Sequence, residues 1–258
     1  MKNIQWWFGD GLNVTYKAYF DSLPTSISPS VKAAQNAFCN SLNSAGLLSR
    51  MKTGYFMHAG GIGNAKINLK NPATYTLTSP AGDPTFSEGN GCKSGGTTYF
   101  SQPFKMNEYA GIQTDVTVCQ YVSESNTADT TNTWTHGILD TNTGAFWGFR
   151  PFAFGTLSSY NFGATPISPA NANHKGLYIQ TQDASNQYVY KDGTKSSLAI
   201  VPTAPTVSSN RSILARDAGN GPYLHYLAVD FIFDRFSDAD ELAFRTAFNT
   251  YKTAVGLP

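Results

Sequence analysis

The sequence predicts an all-β fold, a sandwich of short strands with one helix near each end of the chain. From Ile67 to Phe233 no segment has the periodicity of a long amphipathic helix, and turn-forming residues recur every few positions. Only 14% of the 258 residues are charged, below the roughly 25% typical of soluble domains, and 23 are Gly. A neutral, turn-rich chain of this length is typical of a β-sandwich that forms one domain.

Residues 1–18 are predicted to form an N-terminal arm, because their aromatic residues follow no sustained period. Trp6, Trp7 and Phe8 are adjacent, and Tyr16 follows them. A short arm cannot bury such rings by itself, so they must pack on the rest of the chain or on a partner. The sequence leaves both arrangements open, and Trp6, Trp7 and Phe8 are our candidate residues for attachment to a partner.

The remainder, residues 19–258, is predicted to be the sandwich together with its two helices. The first helix covers about residues 28–46, with Ser28 as N-cap, Pro29 at the first helical position and Gly46 at the far end. Apolar residues recur at helical spacing, which predicts one buried stripe. The stripe consists of Val31, Ala34, Phe38, Leu42 and Ala45.

The second helix covers about residues 237–256 and ends the chain. Ser237 is the expected N-cap, and Asp240 occupies the capping-box position. The acidic residues of the first turn are explained by the helix dipole, which makes them poor catalytic candidates. The predicted buried stripe consists of Phe244, Phe248, Tyr251 and Val255.

Several segments between the helices are strand candidates. Residues 111–122 alternate between apolar and polar positions, and residues 176–195 predict a hairpin followed by a second turn at Asp192-Gly193. Residues 223–233 predict a strand that is buried on both faces. The other candidates are residues 65–72, 74–80, 85–91 and 95–104, and a hairpin around Thr141–Gly144.

Composition excludes several function classes. A net charge of +1 with no run of Lys or Arg argues against nucleic acid and anionic membranes as partners. Cys39, Cys92 and Cys119 form no CxxC pair, so we expect buried thiols rather than disulfides or zinc. No apolar run is as long as the core of a signal peptide or as a membrane span. We therefore expect neither export by a signal peptide nor a membrane-spanning segment.

No catalytic residue is predicted. A glycosidase needs two carboxyl groups across a sugar cleft, whereas Glu108, Asp115 and Asp140 are isolated along the sequence. The four His residues lack metal-binding spacing, and no nucleophile elbow or phosphate loop occurs. We therefore expect no metal and no cofactor. The sequence leaves open whether loop oxygens bind calcium, and the candidate pairs are Asp183/Asn186 and Asp217/Asn220.

One aromatic run is a candidate glycan-binding surface. In GAFWGFRPFAFG, residues 144–155, the rings of Trp147, Phe149 and Phe152 could stack on the apolar faces of sugars. The alternative interpretation is that Trp147 and Phe149 point into the core from one strand, which Pro151 interrupts. The sequence favours the core alternative.

An ordered set of short motifs resembles a known family. The set is NLKNP (68–72), TFSEGNG (85–91), GGTTYF (95–100), KGLY (175–178), VYKDGTK (189–195), ILARDAGN (213–220) and FSDADELAFRTAFNTYKTAVG (236–256). Together with the preceding helix, it resembles a concanavalin A-like (LamG-like) jelly-roll module of structural proteins from tailed bacteriophages and prophages. The resemblance spans residues 19–258 and rests on the order of the motifs.

The resemblance implies a virion surface protein, assembled in the host cytoplasm, such as a head or tail appendage, a fibre, a spike or a decoration component. It implies attachment to other virion proteins, contact with host glycans and assembly as a homo-oligomer, a trimer by analogy with fibres. It supplies no catalytic residue, so we expect no enzyme. The alternatives are a glycoside hydrolase or polysaccharide lyase on the same fold, and a free cytosolic lectin.

Overall fold

The computed structural model describes residues 13–103, 116–125, 133–139, 146–153, 155–160, 166–183, 185–199, 210–216 and 220–258. The candidate attachment residues Trp6, Trp7 and Phe8 lie outside these ranges. Within them, no helix is long and apolar enough to cross a membrane. The three Cys residues are free and buried, as the sequence predicts.

The helices lie near the two ends of the chain. In the described residues they are α1 (Val14–Asp21), α2 (Pro29–Ser44), α3 (Leu47–Arg50), α4 (Ile62–Ala65) and α5 (Asp238–Val255). The predicted caps of α2 and α5 are confirmed. Ser28 accepts a hydrogen bond from the Val31 amide, and Ser237 and Asp240 form a reciprocal capping box. Gly46 and Gly256 follow the two helices with left-handed backbones.

Short strands fill the region between α3 and α5. The first seven are β1 (Met51–Phe56), β2 (Thr85–Ser87), β3 (Gly91–Lys93), β4 (Phe100–Gln102), β5 (Val116–Val122), β6 (His136–Leu139) and β7 (Phe146–Ala153). The remaining six are β8 (Thr156–Tyr160), β9 (Gly176–Gln182), β10 (Asn186–Lys191), β11 (Thr194–Ala199), β12 (Arg211–Ile213) and β13 (Leu227–Asp234).

The strands form two antiparallel sheets, which confirms the predicted all-β sandwich. The larger sheet has the order β11-β10-β9-β5-β13-β3-β2, and β1 also pairs with β13. The smaller sheet has the order β4-β12-β6-β7-β8. The hairpins β6–β7, β9–β10 and β10–β11 are those predicted from the sequence. At the β10–β11 turn, Asp192 and Gly193 adopt positive φ angles of 51° and 91°, as a type I′ turn requires.

The larger sheet is buried on both faces. One face packs against α1, α2 and α5 through an aromatic cluster that includes Phe38, Phe231 and Phe248. The other face packs against the smaller sheet through residues such as Tyr178, Phe149 and Leu157. Strands β5, β9 and β13 are therefore covered on both sides. This burial confirms the prediction for residues 223–233 within β13.

In the N-terminal half, residues 14–18 begin α1, and the side chain of Tyr16 is fully buried against the helical layer of the larger sheet. For Tyr16 this is one of the two arrangements that the sequence leaves open, packing on the rest of the chain. Two strand predictions in this half are wrong. Residues 65–72 and 74–80 were predicted to be strands. Ala65 ends α4 and Thr78 forms an isolated bridge with Ser101, but the residues between them form turns, in which Asn68 accepts hydrogen bonds from the amides of Gly54 and Lys70. Side-chain hydrogen bonds of this kind replace those of a sheet.

Candidate functional site

The predicted aromatic surface is not formed by Trp147 and Phe149. Each of these side chains is 1% exposed and lies between the two sheets. The Trp147 ring lies 4.8 Å from the His136 ring, and the Phe149 ring lies 5.1 Å from that of Tyr178, measured between centroids. The side chain of Phe152 lies outside the described residues. The structure therefore agrees with the core alternative for Trp147 and Phe149.

The isolated carboxylates Glu108, Asp115 and Asp140 also lie outside the described residues, as does Asp217 of one candidate calcium pair. In the other pair, the Asp183 carboxylate accepts hydrogen bonds from the amides of Ser185 (2.8 Å) and Asn186 (2.7 Å) and from the hydroxyl of Tyr188 (2.7 Å). This is the pattern of a turn. The described ranges hold no group of three or more His, Cys, Asp or Glu residues that could bind a metal.

A polar cluster joins the two sheets in the interior. The Arg211 guanidinium of β12 makes two hydrogen bonds of 2.7 Å to the Asp230 carboxylate of β13, and both side chains are fully buried. Gln120 of β5 donates to Asp230 at 2.6 Å, and Gln102 of β4 accepts from Arg211 at 3.0 Å. The charges of this pair are therefore compensated by bidentate geometry and by neutral amides.

The chemistry of the polar cluster fits a structural role. The Nδ1 atom of His136 in β6 lies 3.2 Å from the side-chain oxygen of Gln120. Burial holds the pKa of His136 well below its ordinary value, so its imidazole is neutral. Asp230 is the carboxylate among the described members of the cluster, and it pairs with Arg211. A single, fully buried, ion-paired carboxylate does not supply the acid and base of glycoside hydrolysis.

An open cleft lies at one edge of the sandwich, between the β10–β11 hairpin and the chain that follows β8. Its volume is about 240 Å³. Leu157, Pro169 and Val189 form its apolar floor. The hydrogen-bonding side chains around this floor are those of Asn171, Lys191, Thr194 and Ser196. We call this feature the edge cleft.

Hydrogen bonds fix one wall of the edge cleft. The Lys191 ammonium donates to the side-chain oxygen of Asn171 and, at 3.5 Å, to the carbonyl of Asn173. Asn171 is held in turn, because its amide nitrogen donates to the Tyr178 hydroxyl (3.1 Å) and to the carbonyl of Pro151. The ammonium therefore stands at a defined position in the wall.

The edge strand β11 adds two hydroxyls on the hairpin face that carries Lys191, because Lys191 pairs with Thr194 in the β10–β11 register. Thr194 and Ser196 alternate with residues that face the helical layer, so both side chains lie on the cleft side. Neither hydroxyl makes a hydrogen bond with another residue that the structure describes. These hydroxyls are available to a ligand, and each can donate or accept.

The sequence contains only a weak signal for this cleft. The hairpin and the turn at Asp192-Gly193 were predicted, but no prediction extended to Ser196. The contact of Asn171 with Lys191 was not predicted, because it joins two segments 20 positions apart that are not adjacent strands. The aromatic run predicted a binding surface at Trp147, whereas the residue types that line the cleft carry no specific sequence signal.

Comparisons with known proteins give a fold but no family. No family model matches the chain, and no curated protein matches its sequence. Among solved structures, Trypanosoma rangeli sialidase in complex with sialic acid aligns with a TM-score of 0.59 and 12% identity, over 92% of this chain and 38% of that chain. The complex of the same sialidase with 2,3-difluorosialic acid, a covalent intermediate, aligns with a TM-score of 0.58 and 14% identity. This alignment covers 91% of this chain and 37% of that chain.

A third similar structure is a carbohydrate-binding module of Ruminococcus gnavus IT-sialidase bound to α2,6 sialyllactose. It aligns with a TM-score of 0.40 and 12% identity, over 53% of this chain and 86% of that module. The chain thus spans well under half the length of the sialidases that it matches. At identities this low, the similarity shows the fold alone, which is of the β-sandwich or jelly-roll type.

Proposed function

We propose that this chain is a non-enzymatic, carbohydrate-binding β-sandwich displayed on a phage virion. The observation that carries the binding part is the edge cleft, in which hydroxyl, amide and ammonium groups surround an apolar floor. Sugars present hydroxyls around the ring edge and C–H groups on the ring faces. The cleft offers complementary groups to both.

The size of the edge cleft fits one sugar ring. Its volume of about 240 Å³ is below the roughly 300–1,000 Å³ of pockets that enclose drug-sized ligands. An open cleft of this kind leaves the neighbouring sugars of a polymer outside. Weak binding per subunit is the expected result, and several linked copies would raise the overall avidity by ~10²–10⁴.

The virion part of the proposal is supported by the ordered motifs of residues 19–258, which resemble jelly-roll modules of tailed phages. Attachment to other virion proteins is assigned to Trp6, Trp7 and Phe8. Because Tyr16 and Tyr19 are buried in the sandwich, the attachment segment is restricted to residues that precede α1. Deleting residues 1–12 should therefore leave folding intact and abolish incorporation into particles.

A second candidate function is hydrolysis or lysis of a polysaccharide. The shared fold with a sialidase whose structure contains a covalent intermediate favours this candidate. The lining of the edge cleft favours binding instead, because none of the described side chains that line it is a carboxylate. Glu108, Asp115 and Asp140 are the residues whose replacement would separate the two functions.

The binding proposal is tested with two variants of the same strand. Ser196→Tyr places a ring in the edge cleft, whereas Ser197→Tyr places one on the opposite face of β11. The proposal predicts that host surface polysaccharide binds to the wild type and to Ser197→Tyr, but not to Ser196→Tyr. Equal binding by both variants would contradict the site, and no binding by any of the three would contradict the function.

The virion proposal has a separate test. Gold-labelled antibody to this chain should label particles released by cells that carry the gene. Particles made with the chain that lacks residues 1–12 should carry no label, while that chain keeps the wild-type unfolding transition. Label on both kinds of particle would contradict the role of Trp6, Trp7 and Phe8, and unlabelled wild-type particles would contradict the virion location.

A further inference from the structure

We infer that the edge cleft selects a sugar that carries a carboxylate, and that Lys191 is the residue that binds it. This inference rests on the proposed carbohydrate binding and specifies its ligand class. A uronic acid, in which a carboxylate replaces the terminal CH₂OH of a hexose, is the simplest member of that class.

The first argument is the charge of the cleft. Among the described residues that line the cleft, Lys191 is the charged one. Asp192 follows it in the β10–β11 turn, but one oxygen of Asp192 accepts a hydrogen bond from the Leu177 amide at 2.9 Å. Asp192 is not among the described residues that line the cleft, so Lys191 supplies the charge of that lining.

The second argument is the set of partners of Lys191. Lys70 donates to backbone carbonyl oxygens, whereas Lys66 lies 2.5 Å from Asp83 and Lys195 lies 2.6 Å from Asp238. Lys191 instead donates to two neutral oxygens, those of Asn171 and Asn173, and forms no ion pair with any residue in the described ranges. An ammonium has three N–H groups, so one remains for a ligand.

The environment of Lys191 makes an anionic ligand favourable. Burial lowers the pKa of Lys191, and the Asp192 carboxylate offsets this effect only in part. A partly desolvated cation that lacks an anion gains more from a carboxylate than an exposed lysine does. Asn171 keeps the ammonium in place, so little side-chain entropy is lost when a ligand binds.

The test compares sugars that differ only in the carboxylate. Binding of glucuronate and glucose, and of galacturonate and galactose, is measured by NMR titration of the full chain at low salt. We expect each acid to bind at least ~10-fold more tightly than its neutral partner, with an affinity that falls as salt is added. The affinity should also fall as the pH rises through the lowered pKa of Lys191.

Two variants assign the effect to the cleft. Lys191→Gln should remove the preference for the acids, while Lys195→Gln, on the other face of the hairpin, should keep it. Lys195 is exposed, so its variant is expected to fold.

The outcomes separate the inference from the proposed function. Equal binding of acids and neutral sugars would overturn the inference and leave carbohydrate binding intact. A preference for the acids that persists in Lys191→Gln would overturn the assignment of the residue. Binding of neither kind of sugar, alone or within polysaccharide, would overturn the proposed function itself.

Discussion

His58 is a buried base whose protonation should oppose folding. Its side chain is 2% exposed, and its imidazole contacts the Tyr251 hydroxyl of α5. Burial lowers the pKa of His58 from an ordinary 6.5 to about 4. The unfolded chain therefore takes up a proton near pH 6.5, whereas the folded chain does so only near pH 4.

This difference predicts a loss of stability in acid. Between pH 6.5 and 4 the unfolded state binds the extra proton, so the free energy of unfolding should fall by about 3 kcal/mol on account of His58. In His58→Gln the loss of stability that is due to His58 should vanish. The loss that is due to His136 should remain, because burial also lowers the pKa of His136. The measurement is urea unfolding at pH 7 and pH 4. Parallel pH profiles for the two proteins would contradict the assignment.

The buried ion pair of Arg211 and Asp230 makes a second prediction for single residues. Arg211→Met should cost about 3–5 kcal/mol, because it leaves the Asp230 charge buried without its partner. The double variant Arg211→Met/Asp230→Leu should recover much of that loss. Chemical unfolding of Arg211→Met, Asp230→Leu and the double variant gives the double-mutant cycle. Strictly additive losses would show that the pair does not join the two sheets energetically.

Helix α5 is the element whose role can be tested most cleanly. The Phe248 side chain is fully buried, and its ring lies 5.2 Å from Tyr121 and 6.2 Å from Phe244, measured between centroids. Phe248→Ala should cost about 3–5 kcal/mol. Leu242 lies on the same helix and is 53% exposed, so Leu242→Ala should change stability by less than ~0.5 kcal/mol. Similar losses for both variants would mean that α5 does not pack as described.

Local chemistry explains which elements could be predicted. The ends of α2 and α5 follow from Ser28, Gly46, Ser237 and Gly256, which act through neighbours within one turn. Strand β1 was missed, because its partner is β13, whose residues lie almost 180 positions later in the chain. A strand made by such distant pairing has no local signature beyond its apolar residues. The short strand β12 was missed for the same reason.

At the scale of the whole molecule, the sandwich was predictable and the edge cleft was not. Alternation and turn residues identify strands and hairpins, but they do not say which segment covers an open sheet edge. The placement of Asn171 beside Lys191 depends on the packing of the two sheets. An aromatic run is equally typical of a core and of a sugar platform, and for Trp147 the structure shows the core.

The assembly of the molecule gives a further prediction. With a net charge of +1 and only 14% charged residues, one copy has little electrostatic repulsion for another. We expect a homo-oligomer, a trimer by analogy with phage fibres, in which weak sites act together. Light scattering after size exclusion, at micromolar concentration, measures the mass. A strict monomer would contradict this expectation.

Binding without cleavage is the central claim, and reducing-end release from host surface polysaccharide tests it most directly. The chain is incubated with polysaccharide that it demonstrably binds, and Ser196→Tyr serves as the non-binding control. The account predicts retention of the polymer by the wild type with no reducing ends above that control. Steady release of reducing ends by the wild type, lost in Glu108→Gln, Asp115→Asn or Asp140→Asn, would contradict the account and establish an enzyme.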